Sequence, residues 1–118
     1  MDASFILNTN MGMKIADIFQ NAIGVYKKVV YPDEWKLYHQ GGATSYETRD
    51  YMVTPDSSQI VQPNQVFAWN PSIRGAKSEN TILITEKGYE IISDDLDWPK
   101  IKMNYKDEKV FRPDIWQI

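Results

Sequence analysis

The sequence predicts an α+β fold, in which one long helix lies across one face of a curved antiparallel sheet. Three observations lead to this expectation: an apolar periodicity of three and four residues near the N-terminus, two runs rich in β-branched and aromatic residues, and a Glu-Lys-Gly turn that joins the second run to a third. The first pattern is typical of an amphipathic helix, and the others are typical of strands and a hairpin.

The periodic segment runs from Ile15 to Val29, with apolar residues at three- and four-residue steps and mostly polar residues between them. This spacing predicts an amphipathic helix of about four turns. Gly12 precedes the segment as a turn. Pro32 and Asp33 are expected to end the helix, because proline cannot continue the hydrogen-bond ladder.

Two glycines and several small hydroxyl residues fall between Gln40 and Asp50, which predicts a loop whose backbone runs close to another part of the chain. Val66–Trp69 and Thr81–Thr85 are expected to be strands because they are rich in residues that favour sheets. The turn at 86–88 then leads into Tyr89–Ile92, so the last two strands are expected to form a hairpin.

Residues 1–93 are therefore predicted to form the folded domain, and residues 94–118 a C-terminal extension packed on it. The change at residue 94 is one of composition, since the following stretch is acidic and interrupted by proline. Trp98 and Trp116 are the expected anchors of this extension, because large aromatic side chains supply the most apolar area to bury.

The composition excludes several classes of function. The chain contains no cysteine, which rules out disulfides, thiolate catalysis and cysteine-ligated metals. Its net charge of −3 comes without a basic cluster, so neither nucleic acid nor an anionic membrane is an expected partner. No apolar run reaches the length of about 18 residues that a membrane helix needs, and the N-terminus lacks the features of a signal peptide. We expect a cytoplasmic protein.

Three residues, in a particular order along the chain, are candidates for a chemical role. The lone histidine His39 opens the glycine-rich segment, Asn70 starts an Asn-Pro-Ser-Ile corner after a strand, and Glu79 starts a Glu-Asn-Thr-Ile-Leu run. In this order the segments resemble the second half of the catalytic domain of the pita-bread metallopeptidases, which include methionine aminopeptidases, Xaa-Pro aminopeptidases, prolidases and the related creatinases. The resemblance extends over roughly residues 12–92.

This resemblance implies that the fold is one half of a pita-bread domain. It also implies that His39 and Glu79 match metal-binding positions, and that Asn70 stands where the family has a metal-binding glutamate. The family holds a pair of divalent ions, manganese, cobalt or zinc, with two further aspartates from the first half of the domain. No cofactor is expected for the isolated chain, since these aspartates have no counterpart here.

Tyr46 falls where the family has a further histidine, which makes it a candidate catalytic residue. The resemblance also implies that Tyr46 and Arg49 line the substrate pocket. Plainer interpretations stay open for each position. His39 and Asn70 could be a structural histidine and an ordinary turn residue, Glu79 a solvated acid at a strand edge, and Arg49 the partner of Asp50 in a weak surface salt bridge.

The leading hypothesis is a fragment of a peptidase-like hydrolase of the Xaa-Pro aminopeptidase or prolidase kind, which acts on short peptides and is inactive alone. The alternative is a non-catalytic peptide-binding or assembly module with the same fold. A homodimer is expected, with the 40–50 loop near its interface, because a missing half leaves apolar surface exposed; the 94–118 extension could instead cover that surface and leave a monomer. The residues expected to line it are Leu37, Tyr46, Phe67, Trp69 and Ile73.

Overall fold

The computed structural model describes residues 1–117, which form two α-helices and three antiparallel sheets. The predicted α+β class is confirmed, but the sequence predicted a single helix and a single sheet. None of the helices within 1–117 has the length and apolarity that crossing a bilayer requires. The elements are α1 (Asp2–Asn8), α2 (Ile15–Lys28), a 3-10 turn (Glu34–Lys36), β1 (Gly41–Thr44), β2 (Val66–Trp69), β3 (Ser72–Ile73), β4 (Ala76–Lys77), β5 (Asn80–Thr85), β6 (Gly88–Ile91), β7 (Lys100–Tyr105) and β8 (Glu108–Pro113).

The predicted amphipathic helix is confirmed as α2, although its 14 residues make it only slightly longer than an average helix. It ends before Pro32 is reached. Val30 takes a left-handed conformation with a φ of 69°, and the Tyr31 amide donates to the Tyr26 carbonyl at 3.0 Å, which closes the helix. The apolar stripe that predicted the helix is its buried face: Ile15, Ile18, Phe19, Ala22, Ile23 and Tyr26.

Helix α1 was not expected from the sequence. Its seven residues are too few to show a helical period, yet four of them are buried. It packs on α2. The Phe5 ring stacks on Trp69 with 4.6 Å between the ring centroids, so α1 covers the end of strand β2.

The central sheet has the strand order β1-β2-β5-β6, all antiparallel. The predicted hairpin is confirmed as β5 and β6, with Thr85 opposite Gly88. The prediction that the whole of Gln40–Asp50 is a loop is wrong, because its first residues form β1. The close backbone approach is confirmed: a Cβ atom on Gly42 would lie 1.9 Å from the Tyr51 carbonyl oxygen.

Phe67 and Trp69 are fully buried, so they cannot line an exposed interface as the sequence suggested. They belong to one apolar core that joins α1, α2 and the inner face of the sheet. The expectation failed because α1, which covers them, was not foreseen. Leu37 and Tyr46 are exposed, and Ile73 is partly exposed.

The C-terminal segment is the β7–β8 hairpin, and its anchors differ from the expected ones. Trp98 and Trp116 are both exposed and contact each other, with 5.1 Å between ring centroids. The buried residues are Val110 and Arg112. The Arg112 guanidinium donates from Nε to Asp2 Oδ2 at 2.8 Å and from Nη2 to Asn80 Oδ1, which ties the hairpin to α1 and β5.

The Asp2–Arg112 pair makes the free energy of unfolding depend on pH in the acidic range. Burial would raise the pKa of Asp2, but the Arg112 charge and the hydrogen bonds from Ser78 and Arg112 outweigh it and lower the pKa below the ordinary value of 3.8. The stabilisation is therefore present above the unfolded pKa and is lost as the pH falls through the folded one.

We predict that the Asp2→Asn substitution lowers the free energy of unfolding at pH 7 by about 3 kcal/mol, because it leaves the Arg112 charge buried without a counter-ion. Below pH about 4 the difference between this variant and the parent should shrink. Urea unfolding followed by circular dichroism between pH 7 and pH 3 measures both quantities. Asp56→Asn, at an exposed loop residue, is the control. A constant difference at all pH values would contradict the prediction.

Candidate functional site

The ends of three neighbouring strands meet at one edge of the central sheet. Gly41 of β1 pairs with Trp69 of β2, and Trp69 in turn pairs with Asn80 of β5. Neighbouring strands lie about 4.8 Å apart, so the residues just beyond these three are close together. We call this place the strand-end row.

The strand-end row contains the three positions that the sequence singled out. Asn70 directly follows β2, and Glu79 directly precedes β5. His39 is the second residue before β1, next to Gln40. The Asn70 amide donates to the Gln40 carbonyl at 2.9 Å, which extends the β1–β2 ladder by one step. The structure therefore brings these positions to one end of the sheet.

A buried tyrosine holds the strand-end row in place. The Tyr26 hydroxyl of α2 lies 2.6 Å from Gln40 Oε1 and 2.9 Å from the Ser72 carbonyl oxygen, and these two acceptors share its one proton. The hydroxyl oxygen also accepts a hydrogen bond from the Ser72 amide at 3.1 Å. Burial raises the pKa of Tyr26 to about 12, so the hydroxyl stays protonated well above the pH at which an ordinary tyrosine ionises. Gln40 is fixed in turn, because its Nε2 donates to the Tyr38 carbonyl at 2.8 Å.

His39 and Asn70 line the same cleft, whose volume of about 640 Å³ is in the range of small-ligand sites. His39 is exposed, whereas Asn70 is only 6% exposed and its Oδ1 has no hydrogen-bond partner within residues 1–117. A buried acceptor without a partner is costly, and such groups are uncommon in folded proteins. Leu37, Tyr38 and Lys77 also line this cleft.

Glu79 lies at the other side of the strand-end row and does not line that cleft. Its Oε2 is 2.8 Å from the Lys77 ammonium, and its Oε1 is 4.0 Å from Arg49 Nη2. It borders a second depression, next to Asp94 and Lys100. The Glu79 carboxylate therefore has two cationic neighbours.

Of the two residues expected to contact substrate, only Arg49 reaches the strand-end row. Its side chain is largely buried and its partner is Glu79. The expected surface pair of Arg49 with Asp50 is wrong, since Asp50 accepts instead from Ser45 Oγ at 2.6 Å. Tyr46 is fully exposed and is not among the residues that line the cleft.

The residues present do not fit a pair of divalent ions. Such a centre needs several imidazole and carboxylate ligands, and cationic side chains next to it oppose binding. Here Asn70 is a neutral amide, Glu79 is paired with Lys77, and His39 is an exposed side chain. Nowhere in 1–117 do three His, Cys, Asp or Glu side chains come together as potential metal ligands.

Sequence reasoning missed two features of this site. Lys77 could have been noticed, because it stands two residues before Glu79 on the same segment. The link from Tyr26 to Gln40 and Ser72 joins residues that are distant in the chain, and no local pattern predicts it.

No protein-family model and no curated protein matches this chain. The likeness to pita-bread peptidases therefore depends on the order of His39, Asn70 and Glu79 along the chain. Their positions at one end of the sheet follow from the strand pairing, which the order along the chain does not determine.

We predict that Tyr26→Phe lowers the free energy of unfolding by about 2 kcal/mol, because it leaves buried groups of Gln40 and Ser72 without a partner. Urea unfolding measures the loss. Tyr46→Phe removes the same hydroxyl from an exposed side chain and should change the free energy of unfolding by less than about 0.5 kcal/mol. Equal effects of the two substitutions would contradict the role given to Tyr26.

Proposed function

We propose that this chain is the second half of a peptidase-like catalytic domain of the Xaa-Pro aminopeptidase or prolidase kind, and that the half alone is inactive. The intact domain would act on short peptides. The observation that carries the proposal is the strand-end row, in which His39, Asn70 and Glu79 flank the ends of three neighbouring strands.

Two independent features support this function. The order of the three residues belongs to the sequence, whereas their meeting depends on the pairing of β1 with β2 and of β2 with β5. The antiparallel sheet and the helix α2, which share one core, are also what a half-domain of this kind requires.

The inactivity of the half alone follows from its charges. Hydrolysis of a peptide bond needs a group that activates water and groups that stabilise the developing negative charge. Asn70 supplies no charge, and the Glu79 carboxylate is paired with Lys77. Tyr46 is fully exposed away from the cleft, and a neutral phenol donates hydrogen bonds better than it accepts protons.

A non-catalytic module with the same fold is the second candidate. The specific observation in its favour is that Glu79 has cationic side chains as neighbours. In this function the cleft beside His39 and Asn70 would bind peptides, or the surface around Leu37 and Tyr38 would bind a second copy of the chain. We propose a homodimer in either case, with the 40–50 loop near the interface.

We predict that Asn70→Glu raises the affinity for Mn²⁺ by about tenfold relative to the parent chain, because it restores a carboxylate between His39 and Glu79. Isothermal titration with MnCl₂ measures the affinity. Asn104→Glu is the matched control, since it adds the same charge at an exposed position of β7.

Equal Mn²⁺ affinities for Asn70→Glu and Asn104→Glu would favour the non-catalytic module. The parent chain is expected to show no turnover of Xaa-Pro dipeptides with manganese, cobalt or zinc. Turnover by the parent that disappears in Glu79→Gln would contradict the inactivity of the half alone.

A further inference from the structure

The cleft beside His39 has polar groups that the protein itself does not fully use. Asn70 Oδ1 is a buried acceptor without a partner within residues 1–117. The terminal torsion of an asparagine is broad, so a rotation about it can turn the carboxamide oxygen toward the cleft that Asn70 lines. A ligand that carries an N–H group would satisfy this acceptor.

The second feature of this cleft is a cationic side chain. Lys77 of β4 pairs with Ser72 of β3, two residues beyond Asn70, and it lines the same cleft. Its ammonium has three hydrogens. Glu79 Oε2 accepts one of them at 2.8 Å, and because the Lys77 side chain is half exposed, the others can bind an anionic group of a ligand.

The third feature is apolar. Leu37 and Tyr38 are exposed, and they line the cleft together with Ile73. Apolar surface that borders a few convergent polar groups is typical of small-ligand sites.

We propose that this cleft binds a free carboxylate group next to an N–H donor and an apolar side chain, that is, the C-terminal residue of a short peptide or a free amino acid. Lys77 binds the carboxylate, Asn70 accepts the N–H, and Leu37 and Tyr38 contact the side chain. This inference rests on the proposed function in one respect, which is that short peptides are the expected ligands; it concerns peptides whose last residue carries an N–H, which a C-terminal proline lacks. It requires no metal ion.

Titration of ¹⁵N-labelled protein with small ligands in the presence of EDTA tests the inference. N-acetyl-leucine has the carboxylate, the N–H and the side chain, whereas N-acetyl-leucinamide lacks only the carboxylate charge. We expect N-acetyl-leucine to bind with a dissociation constant of about 1 mM and the amide to bind about tenfold more weakly. Free leucine distinguishes the two classes of ligand. Tighter binding of leucine than of N-acetyl-leucine indicates a site for free amino acids, and the reverse order indicates a site for the C-terminal residue of a peptide.

Substitutions then show which side chain contacts the carboxylate and which contacts the N–H group of the ligand. Lys77→Gln should remove the preference for the acid over the amide, and Asn70→Ala should weaken both ligands. Lys87→Gln, at the exposed turn between β5 and β6, is the control and should change neither. Thermal unfolding of each variant shows whether the fold is retained.

Equal affinity for the acid and the amide would overturn the inference, as would a preference that persists in Lys77→Gln or the absence of binding up to about 20 mM ligand. Because EDTA is present, a negative result here leaves the Mn²⁺ titration of Asn70→Glu unaffected. Conversely, a failed Mn²⁺ titration leaves ligand binding by the parent chain to be measured.

Discussion

One buried hydroxyl group constrains the part of the molecule that carries the candidate site. The Tyr26 hydroxyl contacts Gln40 before β1 and Ser72 after β2, so helix α2 holds the ends of both strands. A hydroxyl is costly to bury unless its hydrogen bonds are made, and these two strand ends supply them. The position of the sheet end relative to α2 therefore depends on a polar network as well as on apolar packing.

The two ends of the chain constrain the other side of the strand-end row. Glu79 stands between Ser78 and Asn80, and both neighbours bond to the Asp2–Arg112 pair: Ser78 Oγ donates to Asp2 Oδ2 at 2.6 Å, and Arg112 donates to Asn80 Oδ1. Helix α1 and the β7–β8 hairpin thus fix the backbone on either side of the Glu79 carboxylate. The hairpin is therefore part of the structure that positions this residue.

The parts of the fold that the sequence predicted are those with a local pattern. Helix α2 shows its period over 14 residues, and the β5–β6 hairpin combines β-branched residues with a glycine turn. Helix α1 is too short to show a period, and without it the burial of Phe67 and Trp69 could not be foreseen. In the site, the order of His39, Asn70 and Glu79 was readable, but the partners of Glu79 come from Lys77 and the distant Arg49. Lys77 is only two residues from Glu79, whereas the contact with Arg49 is long-range and leaves no periodic signal.

His39, Asn70 and Glu79 lie at one end of the central sheet. Paramagnetic broadening of amide NMR signals by a nitroxide label at position 39 tests this arrangement. The chain has no cysteine, so His39→Cys carries a single nitroxide label at an exposed position. We expect strong broadening of the Asn70 and Glu79 amide signals and much weaker broadening at Lys87, about 20 Å away along β5. Sharp signals from Asn70 and Glu79, or equally strong broadening at Lys87, would contradict it.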